Sequence, residues 1–486
     1  MRSWGSLLVL AVLVMWLGLG ATPAQGSPPP SPLLPGDASI AEIEKPADLG
    51  TQTALVSTKP GRDRQIAVGS VLLVLAVGAN FVIWGGIGLI RFADEHTGRR
   101  RGAPPPAGPD DTRVDRRHLA IVMAAHNEEA VITPSLRAVR ELVPRRNIYV
   151  ANDGSTDATS QLAREAGVNV LDVVPNRGKA GALRAALEHF ELYDRYRAVL
   201  FVDADTHLDP GYLDAALPWL NDPEVVAVAG YAKPMWDPEH RSWLGKVVAA
   251  HRHRLYALTQ MLQKYGQTWR LSNVAYIVPG FASIYRTSVL RRIDMDPPGL
   301  VIEDFNMTFE IHHRGLGRIA FTPGAVALCH EPNNYGDYVS QVRRWVLGFW
   351  QTVRRHGVWP SAFWAALGLW IAEILVASVV FTLLPVVIAL LVLPELWGGV
   401  MEWTWFATVQ GLLSQWLTLP MVLAVVFVPD VIIMTILGIR DRRWIYPLLA
   451  LGFPLLRVTD AVLGLVTIPA AWTQTSTGVW RSPTRN

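Results

Sequence analysis

The sequence predicts a parallel α/β domain attached to transmembrane α-helices. Apolar stretches occur at residues 66–90, which carry no charge, and again after residue 361. Between them, short apolar runs alternate with segments of helical pattern, which is typical of a parallel sheet with helices on its faces. Half of the 486 residues are hydrophobic and only 17% are charged, which also favours a chain that lies partly in lipid.

The N-terminal segment is predicted to lie outside the cytoplasm. Residues 1–26 combine a basic start, a short apolar run and small residues, which fits a cleaved signal peptide or an uncleaved first membrane helix. Residues 27–65, rich in proline and serine, are a predicted extracytoplasmic linker. Residues 66–90 are long enough for one spanning helix. The arginines of the basic linker 91–117 place the segment that follows in the cytoplasm.

The C-terminal part of the chain is predicted to return to the membrane. Residues 361–472 form this transmembrane region, and residues 473–486 are a tail. The loop after the first apolar stretch has two glutamates and no lysine or arginine, whereas three arginines follow the second stretch. This distribution places the first loop outside and the second inside. Residues 446–472, interrupted by a proline and two charges, fit one helix, a re-entrant hairpin or two short helices.

Composition argues against several classes of function. The net charge of +3 is too small to indicate nucleic-acid binding. A single cysteine, Cys329, excludes an internal disulfide framework and a cysteine-rich zinc site. We interpret it as a small buried apolar residue.

Polar motifs follow the first strands of the predicted α/β domain, residues 118–336, at the edge where such sheets bind ligands. The sequence Ala-Ala-His-Asn-Glu-Glu at 124–129 ends the first run, and Asn-Asp-Gly-Ser-Thr-Asp at 152–157 ends the second. Each motif also has a simpler interpretation. Asn127 and Glu128 fit a helix cap and first turn, and the second motif is a common strand–turn–helix signal.

Two carboxylates, Asp203 and Asp205, follow the apolar run 198–202. At a strand end, acids two residues apart can bind one hard divalent cation together with a diphosphate. The cation would neutralise charge on a departing nucleoside diphosphate. Lys179 lies at the start of a predicted helix, where basic groups and free amides suit a phosphate-bearing ligand or merely a solvated helix entrance.

A further acidic pair, Glu303 and Asp304, follows the apolar run 300–302. A carboxylate in such a place can be desolvated enough to act as a general base, or it can cap a helix.

Residues 337–358 are predicted to form an amphipathic helix at the membrane interface. Gln341, Arg344 and Trp345 share one face, because they are spaced i, i+3 and i+4. Arg344 can pair with phosphate oxygens and Trp345 offers a flat apolar platform for a sugar ring. Alternatively, both side chains only anchor the helix at the lipid surface.

Taken together, residues 118–345 resemble the catalytic domain of processive family-2 glycosyltransferases, which include cellulose, chitin, hyaluronan and poly-N-acetylglucosamine synthases. The resemblance rests on the order and spacing of the motifs and on their attachment to membrane helices. It implies a cytosolic GT-A (Rossmann-like) domain and inverting transfer from a UDP-sugar to a growing glycan acceptor, with Mg²⁺ or Mn²⁺ as cofactor. It also implies a multi-pass protein in the lipid bilayer of the plasma membrane, with its catalytic domain in the cytoplasm.

The resemblance implies a role for individual residues. Asp304 is the implied catalytic base, and Asp203 and Asp205 are the implied metal ligands. The implied nucleotide-sugar site consists of Ala125, Asn127, Glu128, Asp153, Lys179, Asp203, Asp205 and Arg344. The implied acceptor and product site consists of Gly280, Gln341 and Trp345. The sequence departs from the family at His126, Arg184 and Ile302, where an aromatic residue, asparagine and threonine are usual.

Three functions are compatible with the sequence. The first is a processive synthase that makes a β-linked polysaccharide, with UDP-N-acetylglucosamine as the expected donor, and couples synthesis to export. The second is a non-processive transferase that adds one sugar to a lipid. The third is a transporter or scaffold with an inactive transferase domain, against which the intact acids Asp203, Asp205 and Asp304 argue. The sequence identifies no protein partner.

Overall fold

The structure is a computed structural model that describes residues 60–97 and 113–474. The predicted segment 1–26, residues 27–59 of the predicted linker, and residues 98–112 and 475–486 lie outside the described residues.

An eight-stranded sheet forms the centre of the α/β domain. The strands are β1 (Leu119–Ala125), β2 (Ile148–Asp153), β3 (Asn169–Val173), β4 (Ala198–Asp203), β5 (His207–Leu208), β6 (Val225–Pro234), β7 (Ala282–Arg286) and β8 (Arg318–Cys329). Their spatial order is β3-β2-β1-β4-β7-β6-β8-β5. All residues of β1 and β2 are buried, because helices cover both faces of the sheet.

The sheet is mixed, whereas the sequence pattern predicted a parallel one. Strands β3, β2, β1 and β4 pair in parallel, but β7 is antiparallel to both of its neighbours. The first residue of β7, Ala282, pairs with Val202 near the end of β4. The chain therefore enters β7 from the edge at which β4 ends and has to run back. The prediction was right for β1 to β4 and for the β6–β8 pair, and wrong for β7 and for β5, which is antiparallel to β8.

Helices surround the sheet and continue into the apolar C-terminal region. They are α1 (Pro60–Val77), α2 (Ala79–Thr97), α3 (Ile132–Arg140), α4 (Thr159–Glu165), α5 (Gly178–His189), α6 (Leu192–Arg195), α7 (Tyr212–Ala216), α8 (Trp243–Leu258), α9 (Tyr265–Gln267), α10 (Thr287–Leu290), α11 (Asp304–His313), α12 (Tyr335–His356), α13 (Ala362–Leu396), α14 (Thr404–Ser414), α15 (Leu419–Asp441), α16 (Tyr446–Leu449) and α17 (Phe453–Thr473). A π-helical segment, Thr259–Lys264, joins α8 to α9.

Within the described residues, three helical segments are long and apolar enough to cross a membrane: Ala362–Leu396, Leu419–Asp441 and Tyr446–Thr473. Of the three arrangements open for residues 446–472, the structure shows helices α16 and α17 joined by a short 3-10 turn at Ala450–Gly452, with no hairpin. This C-terminal part packs against both α12 and α13.

The single helix predicted at residues 66–90 is broken at Gly78. Helices α1 and α2 meet there at 64°, and together they count as one further candidate span if the bent pair crosses as a unit. Gly78 has a φ of +106°, a conformation that a helix cannot continue through and that favours glycine. The backbone and side-chain nitrogens of Asn80 both donate to Glu373 Oε2 at 2.8 Å, which ties the break to α13.

Candidate active site

The carboxyl ends of β1, β2 and β4 meet at one edge of the sheet. Ala125 lies opposite Asn152, and Ala124 lies opposite Asp203. Because these three strands are parallel neighbours, the loops that follow them emerge side by side. The polar motifs that the sequence places after separate strands therefore form one surface.

Asn127 joins the first two of these loops. Its Oδ1 atom accepts a hydrogen bond from the backbone N–H of Thr156 at 2.8 Å, and its own N–H donates to Ser155 Oγ at 2.9 Å. Its φ of +54° is left-handed, which asparagine tolerates better than most residues. Helix α3 begins only at Ile132 and has no side-chain cap. The simpler interpretation of Asn127 as a helix cap is therefore wrong.

Asp153 and Glu128 are buried beneath this surface. Asp153 Oδ1 accepts from the backbone N–H of Arg177 at 2.7 Å. Burial raises the pKa of Asp153, although the N–H groups of Arg177 and Gly178 partly offset this. The backbone N–H of Glu128 donates to Thr159 Oγ1 at 2.7 Å. The hydrogen bond from Arg177 holds Asp153 below the loop that leads into α5.

Two residues that depart from the family pattern make local contacts near this edge. The Nδ1 atom of His126 lies 2.6 Å from the backbone oxygen of Asp153. Arg184 Nη2 forms an ion pair with Asp296 Oδ2 at 3.2 Å. His126 thus helps to hold the β1 and β2 loops together, while Arg184 binds the segment that precedes α11.

Lys179 connects the carboxylates of two separate motifs. Its Nζ atom lies 2.7 Å from Asp203 Oδ1 and 3.0 Å from Glu303 Oε1, and it donates to the backbone oxygen of Gly280 at 3.3 Å. The Lys179 side chain is only 20% exposed. Burial opposes its charge, but the carboxylates of Asp203 and Glu303 outweigh burial and raise its pKa. Lys179 is therefore a cation at the centre of the site. This excludes the alternative interpretation, in which Lys179 is a solvated residue at the start of a helix.

Asp304 is the first residue of α11 and lies beside this network. One of its oxygens, Oδ1, accepts from the backbone N–H of Phe305 at 2.7 Å. Burial and the neighbouring charge of Glu303 raise the pKa of Asp304 to about 6, against the opposing effect of Lys179. A carboxylate that ionises near neutral pH is suited to accept a proton during a reaction.

Gly280 lies where the network is most crowded. A Cβ atom at this position would lie 2.7 Å from Glu303 Oε1, 3.2 Å from Lys179 Nζ and 3.4 Å from Asp304 Cβ. Only glycine leaves room for these side chains. The sequence offered Glu303 only as one of two acids that could act as a base or cap a helix, whereas the structure identifies it as a second carboxylate partner of Lys179. The acidic pair after a buried apolar run was the signal that pointed to it.

Asp203 and Asp205 offer oxygen ligands at the end of β4. Burial raises the pKa of Asp203, Lys179 lowers it, and the charge of Asp205 raises it further. Among the described residues there is no group of three acidic, histidine or cysteine side chains that could hold a metal ion. Mg²⁺ is commonly bound by one or two carboxylates with phosphate oxygens and water. The Asp203 and Asp205 pair fits a cation of that kind.

Helix α12 carries the predicted Gln–Arg–Trp face. Gln341 Oε1 accepts from Arg252 Nη2 at 3.1 Å, and the Arg252 guanidinium carbon lies 4.4 Å from the centre of the Trp345 ring. Gln341 and Trp345 therefore share one face, as predicted, while Arg344 is exposed. Sequence reasoning missed Arg252. Its one visible signal was the run His-Arg-His-Arg at 251–254 within an otherwise largely apolar helix.

The mixed sheet with helices on its faces is a Rossmann-like GT-A fold. Residues 120–293 match the family described as "Glycosyl transferase family 2". These residues therefore form a family-2 glycosyltransferase domain.

Several known proteins are similar to this chain. A poly-beta-1,6-N-acetyl-D-glucosamine synthase of Staphylococcus epidermidis is 25% identical over 256 residues, which is 49% of this chain and 57% of the relative. The probable glycosyltransferase YdaM of Bacillus subtilis is 25% identical over 242 residues, which is 47% of this chain and 54% of the relative. The chain thus spans little more than half the length of these relatives.

Among solved structures, a mannosyltransferase of Pyrobaculum calidifontis in complex with GDP-mannose and Mn²⁺ is similar to this chain. It has a TM-score of 0.44 and is 18% identical, and the match covers 79% of this chain and 99% of that one.

Proposed function

We propose that the protein is a membrane-embedded inverting glycosyltransferase that uses a UDP-sugar and extends a glycan. The observation that carries the proposal is the Lys179 ammonium between Asp203 and Glu303, with Asp304 beside it. In the proposed reaction, this arrangement would supply a fixed cation, a metal ligand and a proton acceptor at one edge of the sheet.

The donor would lie across this edge. Asp153 would recognise the base from beneath the surface, with Asn127 on that surface and Ala125 and Glu128 buried nearby. Lys179 would lie toward the diphosphate, whose negative charge it can stabilise as the bond to the sugar breaks. Arg344, exposed on α12, is available to pair with phosphate oxygens.

Asp304 would act as the base. In an inverting displacement, an acceptor hydroxyl attacks the anomeric carbon from the side opposite UDP. The hydroxyl proton passes to the Asp304 carboxylate, the new glycosidic bond forms and UDP leaves with the electrons of the broken bond. The pKa of about 6 leaves Asp304 ionised at neutral pH and still basic enough to accept the proton.

Asp203 and Asp205 would hold Mg²⁺ or Mn²⁺. When bound, the cation would neutralise charge on the diphosphate.

The acceptor is proposed to be a growing β-linked polysaccharide, with UDP-N-acetylglucosamine as donor. The printed name of the Staphylococcus epidermidis relative supports this choice of sugar. Gln341 and Trp345 would bind the acceptor end. Because α12 packs on the apolar C-terminal helices, we also propose a multi-pass plasma-membrane protein with a cytoplasmic catalytic domain that couples synthesis to export.

The test uses the purified full-length protein in lipid nanodiscs with a panel of radiolabelled UDP-sugars. We expect UDP release and a ladder of products with one donor. Asp304→Asn should retain UDP affinity and lose transfer, because it removes only the proton acceptor. Addition of one sugar to a lipid would favour the non-processive transferase. UDP binding without turnover of any donor would contradict the proposed reaction, and wild-type transfer by Asp304→Asn would remove the base assignment.

A further inference from the structure

Arg252 is a buried cation that the proposed mechanism does not use. It lies on α8, and its side chain is only 2% exposed. Its Nε atom lies 3.6 Å from Glu331 Oε2, and the Glu331 side chain is 1% exposed. Removing one partner of such a buried pair leaves the other charge uncompensated, which is strongly unfavourable. The arginine is therefore held firmly against the segment that follows β8.

Three further groups that contact Arg252 belong to α12. Its Nη2 atom donates to Gln341 Oε1 at 3.1 Å. The guanidinium also lies over the Trp345 ring at 4.4 Å and the Tyr338 ring at 4.8 Å. A planar guanidinium can donate in its plane and stack with its face at the same time, which a lysine ammonium cannot do. One side chain therefore sets the orientation of both Gln341 and Trp345.

Glu331 connects this cluster to the edge of the sheet. It lies two residues after the end of β8, and its Oε1 atom accepts from the Cys329 thiol at 3.4 Å. Burial raises the pKa of Glu331, and Arg252 opposes this increase. A continuous set of contacts thus leads from Cys329 at the end of β8, through Glu331 and Arg252, to Gln341 and Trp345 of α12.

We propose that Arg252 is a positioning residue for the acceptor. It holds the Gln341 amide and the Trp345 ring in the orientation that places an acceptor sugar opposite the donor, and the sugar stacks on the indole face away from the guanidinium. This proposal rests on the proposed function. It assigns Arg252 to the acceptor side only, so its loss affects acceptor use and leaves UDP binding intact.

Arg254 provides a matched control on the same helix. It lies two residues after Arg252 and is also buried. It faces the apolar helices, where it pairs with Asp430 on α15. Asp430 has a second partner, Arg457 Nη1, at 3.3 Å. Loss of Arg254 therefore weakens the packing of α8 without leaving Asp430 alone and without touching Gln341 or Trp345.

The experiment compares Arg252→Gln, Arg252→Lys and Arg254→Gln in the full-length protein in nanodiscs. UDP affinity is measured separately from kcat and KM for an acceptor, for which a short oligosaccharide recovered from the wild-type reaction is used. Arg252→Gln should lower kcat/KM for this acceptor about 10- to 100-fold, as expected for a lost charged hydrogen bond. It should also shorten the product and change UDP affinity less than about threefold. The acceptor kcat/KM of Arg252→Lys should lie between the values of Arg252→Gln and the wild type. Arg254→Gln should keep the wild-type acceptor KM.

Glu331→Gln serves as the second variant if Arg252→Gln does not fold. It keeps the shape of the side chain but removes the ion pair with Arg252. It should therefore weaken use of the acceptor as Arg252→Gln does, by raising the acceptor KM. Wild-type acceptor kinetics in Arg252→Gln or in a folded Glu331→Gln would overturn the positioning role. Equal losses of UDP affinity and acceptor use would also overturn it, because they would indicate general structural damage. Absence of transfer by the wild-type protein would instead refute the proposed function itself.

Discussion

Gly280→Ala is a small change at the most crowded point of the candidate site. The added methyl group would lie 2.7 Å from Glu303 Oε1. Ordinary contact requires the two atoms to separate by about 0.5 Å or more. The carboxylate would have to move, and it lies only 3.0 Å from Lys179 Nζ. The substitution should therefore disturb the ion pair without removing any charged group.

The size of the effect follows from the cost of overpacking. Inserting a methyl group into a well-packed region costs about 1–3 kcal/mol. If this strain appears as lost stabilisation of the transition state, kcat/KM for transfer should fall about 5- to 150-fold. The second close contact, 3.2 Å to Lys179 Nζ, favours the upper part of this range.

The assay measures UDP release and thermal unfolding of the full-length protein in nanodiscs. Gly368→Ala in α13 is the matched control, because a Cβ atom there would meet nothing within 4 Å. The control should keep wild-type transfer. Gly280→Ala with transfer within twofold of wild type, at an unchanged melting temperature, would show that Lys179 and Glu303 need no such close packing.

Four other predictions concern the same site. The pKa of Asp304 is raised to about 6, and only its ionised form accepts a proton. Therefore kcat should be constant above that pH and fall about tenfold per pH unit below it. A flat profile of kcat from pH 5 to 8 would contradict the role of Asp304 as the base. Chelation of divalent cations, or Asp205→Asn, should stop transfer, and Mg²⁺ or Mn²⁺ should restore the chelated wild type; full activity in excess chelator would exclude the metal. Asp153→Asn should weaken UDP binding measured by calorimetry, since it alters a buried hydrogen-bond acceptor. Unchanged UDP affinity would show that Asp153 does not recognise the nucleotide base. Gly348→Ala should lower the melting temperature, because its Cβ would lie 2.2 Å from Ile302 Cγ1. Adding Ile302→Ala to the same chain should recover much of the lost stability. An unrecovered melting temperature would show that this contact is not the cause.

The apolar helices show what an apolar pattern can and cannot determine. Long apolar stretches in the sequence predicted helices that are long and apolar enough to cross a membrane, because length and hydrophobicity are local properties. The same pattern could not reveal the break at Gly78, which depends on a left-handed backbone conformation and on Glu373 of a distant helix. Nor could it choose among the arrangements of residues 446–472, which packing decides.

The sequence by itself determined which residues lie at the carboxyl ends of β1, β2 and β4, because strand periodicity and turn residues are read locally. It therefore predicted that Asp153 and Asp203 would lie at one edge. Only the tertiary structure determined that Lys179 bridges Asp203 to Glu303, and that Arg252 holds Gln341 and Trp345. These partners are separated by tens to more than a hundred residues in the chain, and ion pairs and stacking depend on distances that packing alone establishes.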